Sequence, residues 1–225
     1  MASIKLNQVS VEIPIYSNQN RSIKSSLLKK AQKNNTPFHS VKALNNLTLN
    51  LKDGDRLGVM GPNGAGKSTL LRTIAGVYHP SSGNIEVKGR IASLIDISLG
   101  MDSEATGFEN IRMRGVMMGL SLKQIKLIEE EIAEFSGLGD FLHMPIRTYS
   151  SGMHMRLGFA TSTAVEADII LMDEWLSVGD ADFTLKAEKR LYDFIKRSSI
   201  LVIASHSEEL IQKTTNQILR LEHVS

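Results

Sequence analysis

The chain has 225 residues, 26 lysines and arginines against 24 aspartates and glutamates, a net charge of +2 and no cysteine. At 42% hydrophobic and 22% charged it reads as a soluble globular domain, or one domain with an inserted subdomain. No apolar run approaches the roughly 18–20 residues that span a bilayer, and the absence of thiols removes disulfides, thiolate metal sites and cysteine nucleophiles. A membrane channel, a disulfide scaffold and a zinc finger are therefore excluded, which points to a cytosolic domain.

Met1 to Lys5 opens a strand pattern and lacks the apolar stretch of a secretory signal. Residues 4–15 alternate as a strand, and Pro14 near its end predicts an edge position. Residues 16–37 are polar and basic, an excursion closed by the turn residues Asn34, Asn35, Thr36 and Pro37. Residues 1–42 hold seven basic side chains (Lys5, Arg21, Lys24, Lys29, Lys30, Lys33, Lys42) and the single acid Glu12. The +2 total is thus a basic arm on a slightly acidic remainder. Such an arm is either a solvated surface segment or a contact for anionic lipid or nucleic acid.

Leu44, Leu47, Leu49 and Leu51 mark a second strand turned by Asp53-Gly54, and Arg56–Met60 is a short apolar strand running into Gly61. A helix is expected over 67–76, then strands at 85–87 and 90–95. From 104 to 165 helical stretches dominate (104–119, 121–136 and 151–165), with Ser121 placed to cap the second. Buried strands return at 169–172 and 200–204, each followed by helix material. Strands alternating with helices predict an α/β fold with a mainly parallel sheet, and the helical block reads as an insertion.

Gly61-Pro62-Asn63-Gly64-Ala65-Gly66-Lys67-Ser68-Thr69 matches the Walker A pattern G-x-x-x-x-G-K-S/T. Glycines let the backbone wrap phosphate oxygens, successive N–H groups form an anion nest, and the following helix turns its positive end to the same charge. Lys67 would reach the β- and γ-phosphates, and Ser68 would offer its hydroxyl to Mg²⁺. The strand before and the helix after give the motif its required context. Ile169 to Asp173 is a buried strand with a carboxylate at its exit, which makes Asp173 the candidate metal acid. Glu174 follows directly and is placed to polarise an attacking water.

With these motifs in this order the chain resembles the ATPase subunit of ABC transporters over nearly its whole length. Tyr149-Ser150-Ser151-Gly152-Met153 is similar to the family's signature motif, Ser177-Val178-Gly179-Asp180 to its D-loop, and His206 to its switch histidine. The signature wording, Arg156 to Ala160 behind it, Trp175 to Phe183 and Thr106 to Asn110 resemble the polysaccharide exporters, which serve O-antigen, capsule and teichoic acid. Val11 to Tyr16 and Arg21 to Lys24 are similar to that subfamily's N-terminal arm.

The resemblance implies a P-loop NTPase fold with a mainly parallel sheet, an antiparallel β subdomain and an inserted helical subdomain. It implies one ABC ATPase domain over 1–225, with the nucleotide-binding core at 1–95 and 166–225 and the Q-loop and signature subdomain at 96–165. ATP and Mg²⁺ are the implied cofactors, with Ser68, Asp96 and Asp173 at the metal and Glu174, His206 and Lys67 as the catalytic groups. Asp96 stands where the family has glutamine, and residues 97–101 replace the subfamily's small-residue stretch. Phe38 is the expected adenine stack, with Tyr16 and His39 as alternatives. The ATP site is completed by Ser150, Ser151, Gly152 and Asp180 in a head-to-tail pair with a second copy.

The implied partners are two copies of a membrane permease and the lipid-linked polysaccharide, at the cytoplasmic face of the bacterial inner membrane, with no nucleic acid expected. A nucleic-acid- or ribosome-associated ABC ATPase, or an ABC ATPase for another substrate, is the alternative. A module that holds ATP without turnover is opposed by the intact Lys67, Asp173, Glu174 and His206. Residues 221–225 fall just after the expected last strand, where some O-antigen exporters continue into a sugar-binding domain.

Overall fold

A computed structural model describes residues 1–14, 40–97, 100–174 and 181–223, without the side chains of Ala181 and Asp182. Tyr16, Phe38, His39, most of the basic arm and the D-loop with Asp180 lie outside the described residues.

Two sheets carry the fold. The first is antiparallel, built from β1 (Ser3–Pro14), β2 (Ser40–Lys52) and β4 (Ser82–Lys88) in the order β2-β1-β4. The second is parallel, with β3 (Arg56–Met60), β5 (Ile91–Ser93), β6 (Ile169–Asp173), β7 (Ile200–Ala204) and β8 (Gln217–Arg220) in the order β5-β6-β7-β3-β8. The helices are α1 (Lys67–Ile74), α2 (Gly107–Met117), α3 (Leu122–Ser136), α4 (Ser151–Thr163), α5 (Ala181–Arg197) and α6 (Glu208–Thr214).

The short apolar runs of β6 (Ile169–Met172) and β7 (Ile200–Ala204) are strands because both faces of the parallel sheet are covered. Ile169 and Leu171 with Ile200 and Val202 face a core shared with β1, β2 and α1. Ile170 and Met172 with Leu201 and Ile203 face the opposite core, filled by Phe159, Phe183, Leu191 and Phe194. This is the two-residue period of a strand read on both sides at once.

β1 corrects one expectation. It is the central strand of its sheet, not an edge strand. Its pairing with β4 runs only from Ser3 to Ser10, whereas pairing with β2 continues to Pro14 opposite Ser40. Pro14, which has no N–H to donate, therefore sits beyond the last β4 pair, where one side of the strand is open. A register shift lies between Leu6 and Val9, with Gln8 at φ 49. The irregularity flips the parity of the buried side chains, from Ile4 and Leu6 to Val9 and Val11.

The helical block, α2 to α4, lies between β5 and β6, which are neighbours in the sheet. Thr106 with Glu109 and Ser121 with Gln124 form capping boxes on α2 and α3, so the Ser121 cap is realised. Gly137, at φ 64, ends α3 in the left-handed conformation. Residues Gly139–His143 and Ile146–Thr148 form short 3-10 turns. Ile111, Ile132, Leu138, Leu142, Ile146 and Tyr149 make the block's own core together with Leu157 and Ala160 of α4, while Phe159 of the same helix points into the sheet's core.

Candidate functional site

Three adjacent parallel strands deliver the site. Strands β6, β7 and β3 lie side by side and end at the same edge, the position where open α/β sheets place their ligands. The Walker A loop leaves β3, Asp173 and Glu174 leave β6, and His206 follows β7. Cross-links hold these exits together. The N–H of Glu174 donates to the Ala204 carbonyl at 2.8 Å, and that of Ser205 to the Val59 carbonyl at 3.2 Å.

The loop geometry requires glycine. Gly66 has φ 96, and a Cβ there would lie 2.3 Å from the carbonyl oxygen of Ala43 on β2. At Gly61, with φ 150, a Cβ would meet the Leu221 carbonyl oxygen at the same distance. The loop is thus wedged between β2 and the segment after β8. Lys67 is buried at 8% exposure, and its ammonium donates to the carbonyls of Gly61 at 2.7 Å and Pro62 at 3.0 Å. The lysine ties its own loop into a ring. Thr106, Ser121, Ser150 and Ser207 cap α2, α3, α4 and α6 with their side chains. α1 differs: Gly66 offers no side chain, and no acid stands in its first turn. The N–H groups at its start are left to an external anion.

The resulting cleft has a volume of about 490 Å³. Its walls include Asn63, Gly64, Gly66, Lys67, Ser68 and Thr69 from the loop and helix, with Asp173, Glu174 and His206 opposite. Nε2 of His206 stands 3.8 Å from Oε1 of Glu174. Glu174 holds a positive φ of 69, a conformation that costs a non-glycine residue of the order of 1 kcal/mol and sits at the reacting edge. Ser68 and Asp173 supply oxygen donors, the set that a small hard cation takes alongside water and phosphate. Among the described residues no group of three or more His, Cys, Asp or Glu side chains forms a dedicated metal cage. Val41 and Ala43, two apart on β2, line the cleft. They went unnoticed in the sequence, where only their two-residue spacing next to an expected strand could have flagged them.

Asp96 and the signature turn line other surfaces of this copy. Asp96 is exposed and lines a neighbouring cleft of about 480 Å³ with Arg72, Tyr78, Arg114 and Met117, while Ile95 lines both clefts. Ser150, Ser151 and Gly152 form the start of α4, outside the phosphate cleft. Ser150 accepts the Met153 N–H at 3.2 Å, and the buried Tyr149 hydroxyl donates to the Phe141 carbonyl at 2.7 Å, fixing the turn from behind. Burial raises the Tyr149 phenol above its ordinary value. Above Gly152 an added Cβ would meet nothing nearer than Ser150 Oγ at 3.9 Å, so this helix start faces open space.

Arg56 was also missed. Its guanidinium, drawn below the ordinary arginine range by burial, donates to the carbonyls of Ser198 at 2.7 Å, Ser199 at 3.0 Å and Ile195 at 3.1 Å. It closes the C-terminal end of α5 onto the strand that feeds the Walker A loop. Partners so distant in sequence leave no local signal.

A family model described as ABC transporter matches residues 44–177, more than half of the chain. The O-antigen export system ATP-binding protein RfbE of Yersinia enterocolitica is 44% identical, over 99% of this chain and 95% of that protein. The teichoic acids export ATP-binding protein TagH of Staphylococcus haemolyticus is 39% identical, over 98% of this chain and 81% of its own. Among solved structures, the dimeric ATP-binding cassette MJ0796 in a post-hydrolysis state bound to ADP and Pi superposes with a TM-score of 0.71 at 19% identity, covering 99% of this chain and 97% of that one. The fold agrees with that likeness, and the family match and the two near-full-length relatives decide membership: this chain belongs to the ABC transporter family, as an ATP-binding ATPase subunit.

Proposed function

We propose that the chain hydrolyses ATP in a head-to-tail pair with a second copy and so drives export of a lipid-linked polysaccharide, O-antigen first, then capsule or teichoic acid, through a separate permease. The observation that carries the reading is the meeting of Lys67, Ser68, Asp173, Glu174 and His206 in one cleft at the sheet edge. The export systems of the relatives at 44% and 39% identity support the substrate class.

In this reading the loop N–H groups and Lys67 bind the β- and γ-phosphates. Ser68 and Asp173 would hold Mg²⁺, which would supply positive charge against the phosphates. Glu174 orients and polarises the water for in-line attack, and His206 meets charge developing on the γ-phosphate. The second copy brings Ser150, Ser151 and Gly152, the open helix start, to the same phosphate, with Asp180 beside the nucleotide and Phe38 against the base. Residues 96–165 act as the moving subdomain against the core of 1–95 and 166–225. The path through the bilayer is assigned to the permease and the chain to its cytoplasmic side, as the ATP-binding proteins of export systems that it resembles suggest. Among the described residues no helix is long and apolar enough to cross a membrane.

The test is to express the chain with a candidate membrane permease of polysaccharide export and measure phosphate release in lipid vesicles. Copurification and stimulation by a lipid-linked glycan are expected. Salt-sensitive RNA binding with no permease association would reject export in favour of a nucleic-acid-associated ATPase.

A further inference from the structure

Three consecutive residues after β5 differ in their surroundings. Ile95 lines both the phosphate cleft and its neighbour, Asp96 lines the neighbouring cleft with Arg114 and Ser162, and Ile97 is buried against α4. A Cβ added to Gly158 of α4 would lie 2.7 Å from both the carbonyl oxygen and Cγ2 of Ile97. The helix therefore rests directly on that backbone, with no slack between them.

Arg114 of α2 is buried at 7% exposure. Its Nη1 donates to the Ile97 carbonyl at 2.6 Å and its Nη2 to the Ser162 hydroxyl in the last turn of α4 at 2.8 Å. A buried charge is costly, and an apolar side chain of the same volume would fill the space more cheaply. What a planar guanidinium adds is direction, because its rigid fork holds both acceptors in one relative placement. Burial draws the Arg114 group below the ordinary arginine range, and the charge of Asp96 opposes that.

We propose that Arg114 is a positioning residue that transmits the placement of residues 95–97 to the signature turn, with Asp96 as its counter-charge. α4 is one continuous helix from Ser151 to Thr163. At 1.5 Å per residue its Ser150 end lies about 18 Å from Ser162, so a shift fixed at one end is delivered to the other. Asp96, which lines the cleft that holds Arg114, thereby gains a role besides the metal-ligand role expected of it. This inference rests on the proposed ATPase reading and goes beyond it by assigning the link between the phosphate cleft and the signature turn.

The test uses the full chain and the variants Arg114→Lys, Ser162→Ala and Asp96→Asn. Binding is read with a fluorescent ATP analogue, turnover by phosphate release, and pairing by gel filtration with ATP in a Glu174→Gln background. Arg114→Lys keeps the charge and loses the fork. It should leave analogue affinity within about twofold, lower kcat on the order of tenfold to a hundredfold, and weaken ATP-dependent pairing, as expected when a reacting group is misplaced by about 1 Å. Ser162→Ala should show the same split with a smaller loss, and it carries the test if the lysine variant does not fold. Combining Arg114→Lys with Asp96→Asn should cost little more than the worse single change, because the two act as one unit. Unchanged kcat and pairing in the Arg114 and Ser162 variants would overturn the inference. So would a loss of binding and turnover together with a lowered melting temperature, which marks a fold-stabilising role alone. An unmodified chain that hydrolyses no ATP would instead sink the ATPase reading beneath it.

Discussion

Glu174→Gln separates chemistry from stability because the structure makes the two effects unequal. The substitution keeps the side-chain shape, the positive φ and the N–H donated to the Ala204 carbonyl. What it removes is one negative charge, on a side chain that is 65% exposed, facing a histidine that is 48% exposed at 3.8 Å. An exposed pair at that separation contributes about 0–1 kcal/mol. For a chain of this size 1 kcal/mol moves the melting temperature by about 2–4 °C, so the variant should melt within a few degrees of the parent. Loss of a positioned general base costs about 10²–10⁴ in rate, or ~2.7–5.4 kcal/mol of barrier. Thermal melting, phosphate release and gel filtration with ATP should therefore report a stable protein, nearly silent in turnover and arrested as an ATP-bound pair. Turnover within about fivefold of the parent would refute the role of Glu174, and a melting temperature lowered by more than about 10 °C would refute the reasoning from exposure.

Gly66→Ala should abolish binding of a fluorescent ATP analogue, because its Cβ would lie 2.3 Å from a backbone oxygen of β2 at a φ that costs about 1–2 kcal/mol. Ser121→Ala removes the α3 capping box at a distance from the cleft. It should lower stability by about 1 kcal/mol, seen as a melting shift of about 2–4 °C, with ATPase activity unchanged. The Glu109 carboxyl is held below its ordinary 4.5, first by the Thr106 N–H and then by the Thr106 hydroxyl. A depressed acid contributes stability above its unfolded pKa and loses it as pH falls through the folded value. The melting difference between the parent and Glu109→Gln should thus stay constant above pH 4.5 and change only below it, as the parent's carboxyl takes up its proton.

What could be read directly from the residues was whatever is local. The glycine loop, the apolar strands at 169–172 and 200–204 and the Ser121 cap each carry their cause within a few positions. Pro14 shows the limit of that reading. Its missing N–H correctly signals an open side, but only the pairing shows that the opening begins where β4 ends. Arg56 and Arg114 act on partners 143 and 48 positions away, so no window along the chain could have found them. The place of Asp96 in the motif order says nothing of the cleft it lines with Arg114, because the contact between Gly158 and Ile97 beside it joins positions far apart in the chain.

The division of α4 between two cores has a consequence for building chimaeras. Leu157 and Ala160 belong to the helical block and Phe159 to the sheet, so the seam between the two bodies runs lengthwise through a single helix. A transplant cut at the ends of the block would carry away one wall of the recipient's sheet and leave Phe183 and Met172 facing a stranger. To exchange the helical block between relatives, the joints belong within the segment from 100 to 148, with the whole of α4 left to the recipient.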